Sequence, residues 1–177
     1  DAAVLRPSSG RLLLLTVDTL REGTHFLSSY TDPFSLGWKA AAVSLSDVAA
    51  MGGRPRFLLM SLSLPENVPE TYLHELLQGM GTLLKRYSVS LVGGNISRSK
   101  QGMSIDATLI GDTLPKRLFT RSGARAGDLV YVTGTLGDSA AGLEFLKRKK
   151  RSRDPRIVRL MSRHLRPEPR IKEGALL

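Results

Sequence analysis

The chain has 177 residues, 41% of them hydrophobic and 24% charged, with 17 glycines and 9 prolines, so it can bury a full core as one domain or two small ones. That composition excludes disordered and collagen-like classes, and the absence of cysteine excludes disulfide scaffolds, zinc–thiolate sites and thiol nucleophiles. The net charge of +10 is uneven: residues 1–144 hold 14 Lys/Arg against 13 Asp/Glu, and residues 145–177 hold 12 against 3. The excess centres on Lys147-Arg148-Lys149-Lys150-Arg151, a run that either attracts phosphates or forms a solvated helix end. The longest clearly apolar run, residues 12–15, is far too short to span a bilayer, and no basic-then-apolar leader opens the sequence. A soluble, cytoplasmic protein is expected.

Taken in order, residues 11–18 read as a buried strand, a short apolar run bounded by Ser-Ser-Gly and polar residues. Helical spacing covers residues 37–51 and stops at Gly52-Gly53 and Pro55. Residues 56–64 predict a second strand, and residues 66–87 a helix in which Gly79 and Gly81 each cost roughly 1 kcal/mol against alanine. Strands follow at 88–92 and 103–110, the latter alternating apolar and polar. A Gly-, Ser- and Arg-rich loop spans 117–127, a strand 128–133, and the turn 134–137 leads into a helix running to about Lys150. Strands alternating with helices predict an α/β chain. A seam near residues 112–117 divides it into a domain of residues 1–114 and a second part, 115–177, which reads as an unfinished domain of a longer chain.

Several residues could carry chemistry. Asp18 closes an apolar strand. Asp47 lies inside an apolar helix on the face of Val43, Ser44, Ala50 and Met51. An acid there is costly unless an arginine, a helix N-terminus or a metal pairs with it, the alternative being a place at the helix surface. Mg²⁺ accepts one or two carboxylates together with substrate phosphate oxygens. Gly93-Gly94-Asn95 after a strand reads either as an ordinary turn or as backbone open to a phosphate. Arg121 beside Ser122-Gly123 suits phosphate or plain surface. The stretch Gly134-Thr135-Leu136-Gly137-Asp138-Ser139 is either an anion site or a helix start capped by Asp138 or Ser139. His25 sits in a polar turn, as decoration, substrate contact or general base. His74 on a polar helix face and His164 in the basic tail receive no role. Zinc-peptidase, α/β-hydrolase and P-loop motifs are absent from the sequence.

Together the segments TVDTLREGTHF (16–26), GWKAAAVSLSDVAAMGGRP (37–55), LVGGNISRS (91–99), RSGARAGD (121–128), VTGTLGDSAAGL (132–143) and HLRPEPRI (164–171), preceded by Asp1-Ala2-Ala3-Val4-Leu5, resemble the thiamine-monophosphate kinase family. That family belongs to the ATP-binding superfamily of aminoimidazole ribonucleotide synthetase. The resemblance implies an α/β (α+β) N-terminal domain with a mixed sheet packed by helices, followed by the start of a second α/β domain. It implies Mg²⁺-dependent transfer of the ATP γ-phosphoryl to thiamine monophosphate, giving thiamine diphosphate. It also implies a homodimer whose N-terminal sheets pair into a barrel, with nucleotide bound near that interface. By position, Asp1, Thr16, the Val17 backbone, Asp18 and Asp47 match magnesium ligands, and Asn95 falls where many members carry an Asp ligand. Gly94, Asn95 and Arg121 match ATP contacts, and His25 a thiamine contact; no covalent or strong general-base residue is implied.

The sequence ends before the family's Asp-x-Ser-Asp-Gly segment, so binding without turnover is one expected outcome. Two other readings remain. One is a superfamily relative such as selenophosphate synthetase or the hydrogenase-maturation dehydratase, whose cysteine chemistry this chain lacks. The other is a non-catalytic module binding nucleotide or nucleic acid through residues 145–172. That segment has Phe145 as its one aromatic residue, and neither nucleic acid nor membrane is an expected partner.

Overall fold

The computed structural model describes residues 1–7, 10–148 and 152–176. Five strands form one mixed sheet in the order β1-β2-β5-β3-β4. They are β1 (Ala3–Leu5), β2 (Leu12–Arg21), β3 (Arg54–Leu64), β4 (Ser90–Arg98) and β5 (Ser104–Thr113). β3 and β4 run parallel, joined by a helical crossover, while the other pairings are antiparallel. Alternation decides which way each strand faces. Leu12, Leu14 and Leu20 of β2, Leu58, Met60 and Leu62 of β3, and Ile105, Ala107 and Leu109 of β5 are all buried beneath the helices.

Two helices cover that face, α1 (Pro33–Ala50) and α2 (Glu70–Arg86). α1 begins a turn earlier than its apolar spacing suggests, because Asp32 caps it by accepting from the Ser35 amide at 2.9 Å and Pro33 supplies the first helical residue. α2 begins later than expected, after Pro69. The two helices touch backbone to backbone. A Cβ at Gly37 would lie 1.9 Å from the Leu76 carbonyl oxygen, and one at Gly79 1.9 Å from that of Phe34. The helix-weakening Gly79 is therefore a packing residue, whereas Gly81 faces open space. The opposite face of the sheet exposes Val17, Phe57 and Leu59.

Three expectations are corrected. β4 does not stop at Val92; it runs on through Gly93, Gly94 and Asn95 to Arg98, and Val92 is the extra residue of a bulge opposite Leu58 and Leu59. Residues 128–133 form no strand, although their β-propensity is high, because among the described residues no other strand lies beside them to complete a ladder; Val130 is 93% exposed. The next helix, α3 (Asp138–Lys147), is capped by Gly137 at φ +86°, not by Asp138 or Ser139. Of the basic run, Lys149, Lys150 and Arg151 lie outside the described residues.

Beyond α3 come α4 (Pro155–Leu165), capped by Asp154, and α5 (Ile171–Leu176). The stretch between them is strapped to the sheet-and-helix body. The Trp38 indole donates to the Pro167 carbonyl at 2.8 Å, the Tyr87 hydroxyl to Glu168 at 2.7 Å, and Arg86 pairs with Glu168 at 2.9 Å. Gly174 allows α5 to touch α1, since a Cβ there would lie 2.2 Å from the Ala49 carbonyl oxygen. Among the described residues, no helix is long and apolar enough to cross a membrane.

Candidate functional site

Residues two apart on a strand share a face, so Thr16 and Asp18 of β2 both point toward α1. There they meet Ser44 and Asp47, three residues apart on the helix and so also on one face. Thr16 Oγ1 donates to Asp47 Oδ2 at 2.6 Å. Ser44 Oγ donates to Asp18 Oδ2 at 2.9 Å and lies 3.2 Å from the Ala107 carbonyl oxygen. Partial burial raises the Asp18 pKa, the Ser44 hydroxyl opposes that rise, and the nearby Asp47 charge adds to it. Among the described residues neither carboxylate has a salt-bridge partner. Two acids and two hydroxyls, all oxygen donors, suit a hard cation.

Asp1 stands at the edge of this group. Continuing the β1–β2 register outward from Ala3 opposite Leu15 brings residue 1 beside Val17. The Asp1 backbone nitrogen lies 3.3 Å from Met51 Sδ, one helical turn beyond Asp47. The loop after the 3-10 turn Pro115–Arg117 reaches the same place, because the Phe119 amide donates to the Met51 carbonyl at 3.3 Å. That contact delivers Arg121, whose Nε donates to Asp1 Oδ1 at 2.8 Å while its side chain stays 83% exposed. The Val17 side chain points away, toward the open face, so only its backbone can join the group.

Asn95 stands on a different strand from the other implied ligands. Among the described residues no three His, Asp or Glu side chains converge as a metal cluster. Asn95 lies on β4, three strand spacings or about 14 Å across the sheet from β2. It lines a separate cavity of about 450 Å³ walled by Met60, Leu91, Val92, Gly93, Gly94 and Ile96, a mainly apolar hollow. Gly94 has a packing reason of its own, since a Cβ there would lie 2.0 Å from the Met60 carbonyl oxygen. Gly93 meets nothing nearer than Leu59, at 3.8 Å.

His25 sits in the turn at residues 22–26, anchored by the fully buried Phe26. The Gly23 amide donates to the Phe26 carbonyl at 2.9 Å, and the Arg21 amide to His25 Nδ1 at 3.0 Å. With Nδ1 accepting, a neutral ring carries its proton on Nε2 and can donate it to a ligand. Sequence reasoning assigned no role to two neighbours here, Lys39 and His164. Lys39 on α1 places Nζ 3.2 Å from the His25 carbonyl oxygen and 3.5 Å from His164 Nε2. Ser139 Oγ lies 3.1 Å from His164 Nδ1. Lys39, the one basic residue of α1, set between Trp38 and Ala40, was the available signal. His74 is exposed and makes no contact with the site.

Comparison with known proteins bears on this arrangement. The family model described as AIR synthase related protein, N-terminal domain, matches residues 1–113. A thiamine-monophosphate kinase of Aquifex aeolicus is 48% identical over 159 residues, covering 90% of this chain and 51% of its own length. That of Escherichia coli K12 is 42% identical over 178 residues, covering all of this chain and 54% of its own length. A solved structure described as AaThiL complexed with AMPPCP and TMP superposes with a TM-score of 0.91 at 43% identity, covering 98% of this chain and 54% of that one. The chain thus spans about half the length of the curated relatives it matches.

Proposed function

The chain belongs to the AIR synthase related protein family, and from that premise we propose that it is the nucleotide- and metal-binding part of a thiamine-monophosphate kinase. The observation that carries this reading is the Asp18–Asp47 pair. These two half-buried carboxylates are backed by Thr16 and Ser44 and have no salt-bridge partner among the described residues. Such a pair is costly as it stands and suits a divalent cation. Mg²⁺ bound there, with the Thr16 hydroxyl, the Val17 carbonyl and Asp1 completing the oxygen donors, would neutralise phosphate charge.

The chain's own residues supply the remainder. Arg121, exposed and bonded among the described residues to the edge carboxylate Asp1 alone, is placed to exchange that partner for a nucleotide phosphate. The apolar hollow beside Gly94 and Asn95 suits the base end of ATP, so Asn95 serves there as a nucleotide contact rather than as a ligand to the Asp18–Asp47 metal. His25 would donate from Nε2 to the thiamine substrate and hold it. The acceptor oxygen of thiamine monophosphate is already ionised at neutral pH, so alignment and charge neutralisation suffice and no strong base is needed. A homodimer fits this reading, because the open face of the sheet exposes Val17, Phe57 and Leu59 and the β4 edge exposes Leu91, Val92 and Ile96. We place the domain boundary near residue 114, after β5, and the reaction in the cytoplasm.

Calorimetry of AMPPCP binding with and without Mg²⁺, on this chain and on Asp47→Ala, tests the assignment. The Mg²⁺-dependent part of the affinity disappears in the variant while its circular dichroism stays native. Unchanged nucleotide affinity in a folded Asp47→Ala protein would falsify the metal assignment. A coupled assay for thiamine diphosphate then tests the acceptor.

A further inference from the structure

We propose that Lys39 and His164 are positioning residues, forming a clasp between α1 and α4 that fixes the His25 turn and thereby sets affinity for the thiamine substrate. The inference deepens the kinase reading and rests on it for the identity of the ligand at His25.

Lys39 sits between Trp38 and the buried Ala40 on the most buried helix of the protein. Burial depresses its pKa, and no carboxylate pairs with it among the described residues. Its ammonium is oriented by two groups, the His25 carbonyl at 3.2 Å and His164 Nε2 at 3.5 Å. An ammonium carries donors only, so the facing His164 nitrogen must be the unprotonated one. The proton of His164 is then on Nδ1, directed at Ser139 Oγ 3.1 Å away. Burial first and the Lys39 charge second lower the His164 pKa; a hydrogen bond to the Ser139 backbone opposes the shift, and Lys147 of α3 adds to it. The chain of contacts therefore has one polarity, running from Lys39 to the His25 peptide on one side and through His164 to Ser139 on the other.

Its effect falls on His25. The other hydrogen bonds of His25 among the described residues are with Arg21, whose amide donates to Nδ1 and whose carbonyl accepts from the His25 amide. The turn is anchored at its ends by the buried Phe26 and by Glu22, which bonds to Met103; among the described residues, the Lys39 bond is the hydrogen bond that reaches the His25 peptide itself from outside the turn. The Trp38 indole, donating to the Pro167 carbonyl at 2.8 Å, seats the end of α4 beside it, so strap and turn are held from adjacent residues of α1. With its peptide fixed by Lys39 and Nδ1 engaged by the Arg21 amide, the His25 ring presents Nε2 in one direction, and preorganisation of that kind is expressed as affinity.

The test uses the chain with Lys39→Met, Lys39→Arg and His164→Gln. Thiamine monophosphate and AMPPCP are titrated separately by calorimetry, and the imidazoles are followed by nitrogen-resolved NMR across pH without ligand. Lys39→Met weakens thiamine monophosphate by about tenfold and changes AMPPCP by less than about twofold, while Lys39→Arg recovers part of the loss. In the spectra, His164 is the Nδ1–H tautomer, and its pKa rises in Lys39→Met once the neighbouring charge is gone. Equal weakening of both ligands, or of neither, overturns the positioning role. If the wild-type chain binds neither ligand, it is the kinase reading that fails. The clasp is then decided by the spectra alone, and a His164 titration identical in wild type and Lys39→Met overturns it. Should Lys39→Met not fold, Lys39→Arg and His164→Gln carry the same comparison.

Discussion

The sheet with α1 and α2 and the segment carrying α3, α4 and α5 use similar residues to opposite effect. In the first, Leu14, Leu36, Leu45 and Leu58 are completely buried. In the second, Leu129, Val130, Tyr131 and Leu136 are each more than three-quarters exposed, and neither α4 nor α5 has a buried residue. The difference does not lie in hydrophobicity. Strands of the body have neighbours on which to lay a ladder and helices to cover it, while residues 128–133 have neither. α3 and α4 pack on each other, closely at Gly142 and Leu160, and the segment is tied to the body through Trp38, Arg86 and Tyr87 at residues 167–168 and through Gly174 against Ala49.

The sharpest way to break this comparison is to place the same methyl group in each region. Gly79→Ala would drive a Cβ to 1.9 Å from the Phe34 carbonyl oxygen, and Gly142→Ala a Cβ to 2.0 Å from that of Leu160. Backbone cannot yield as a side-chain tip can. Gly79→Ala therefore destabilises the main unfolding transition by about 3 kcal/mol in urea denaturation followed by circular dichroism. Gly142→Ala forces α3 from α4 but costs that transition less than about 1 kcal/mol, since the body does not depend on the contact. Equal losses would make the two regions one cooperative unit. Gly81→Ala, facing open space on the same helix as Gly79, gains about 0.5–1 kcal/mol and confirms that helix propensity is not the cause.

A smaller effect separates strap from body. Burial and the hydrogen bond to Glu168 push the Tyr87 pKa up to about 12. A phenol whose folded pKa lies above its ordinary value of 10.0 stabilises the docked strap fully below pH 10. That contribution is lost as pH rises toward 12. Tyr87→Phe removes the donor at every pH, and hydrogen exchange across residues 164–176 then rises about fivefold. Uniform faster exchange in α1 as well would show that strap and body open together.

Much of the body was legible in the sequence because its strands alternate and its helices carry apolar stripes. β5 alternates along its whole length and was read from its start but three residues short of its end, and the wide apolar face of α1 located Asp47. What escaped was long-range. Gly94 has the composition of a turn but is a strand residue wherever a neighbouring carbonyl approaches too closely for a Cβ, and only the β3–β4 pairing reveals that. The strand expected at residues 128–133 failed for the converse reason, as propensity without a partner forms no ladder. At the site, the likeness of motifs supplied Asp18, Asp47 and Arg121, and the fold brought Asp1, Thr16, Asp18, Asp47 and Arg121 to one end of α1. The sheet order set Asn95 apart, because strand order is not written in the spacing of residues along the chain. Ser44 and Lys39 look like ordinary helix polar residues until the turn and strand opposite them are known.

The least stability is at stake where the body departs from its own rule by half-burying Asp18 beside Asp47. Since burial and that neighbouring charge raise the Asp18 pKa in the folded state, the favourable contribution is that of the protonated acid. It is fully present below the ordinary value of 3.8 and lost as pH rises through the folded pKa, above which the carboxylate is ionised and poorly solvated. Asp18→Asn removes that charge and keeps an acceptor for Ser44. It raises stability at pH 7 slightly, by no more than about 0.5 kcal/mol once solvent screening is allowed for, and the melting temperature rises with it; the gain shrinks as pH falls toward the ordinary carboxylate range. The same substitution abolishes Mg²⁺-dependent nucleotide binding, so stability and binding move in opposite directions, as they do where a site stores electrostatic strain for a ligand. A melting temperature that falls at pH 7 would mean that the Ser44 hydrogen bond outweighs the burial of charge. The pair would then be a structural feature of the α1–β2 contact rather than a seat for a cation.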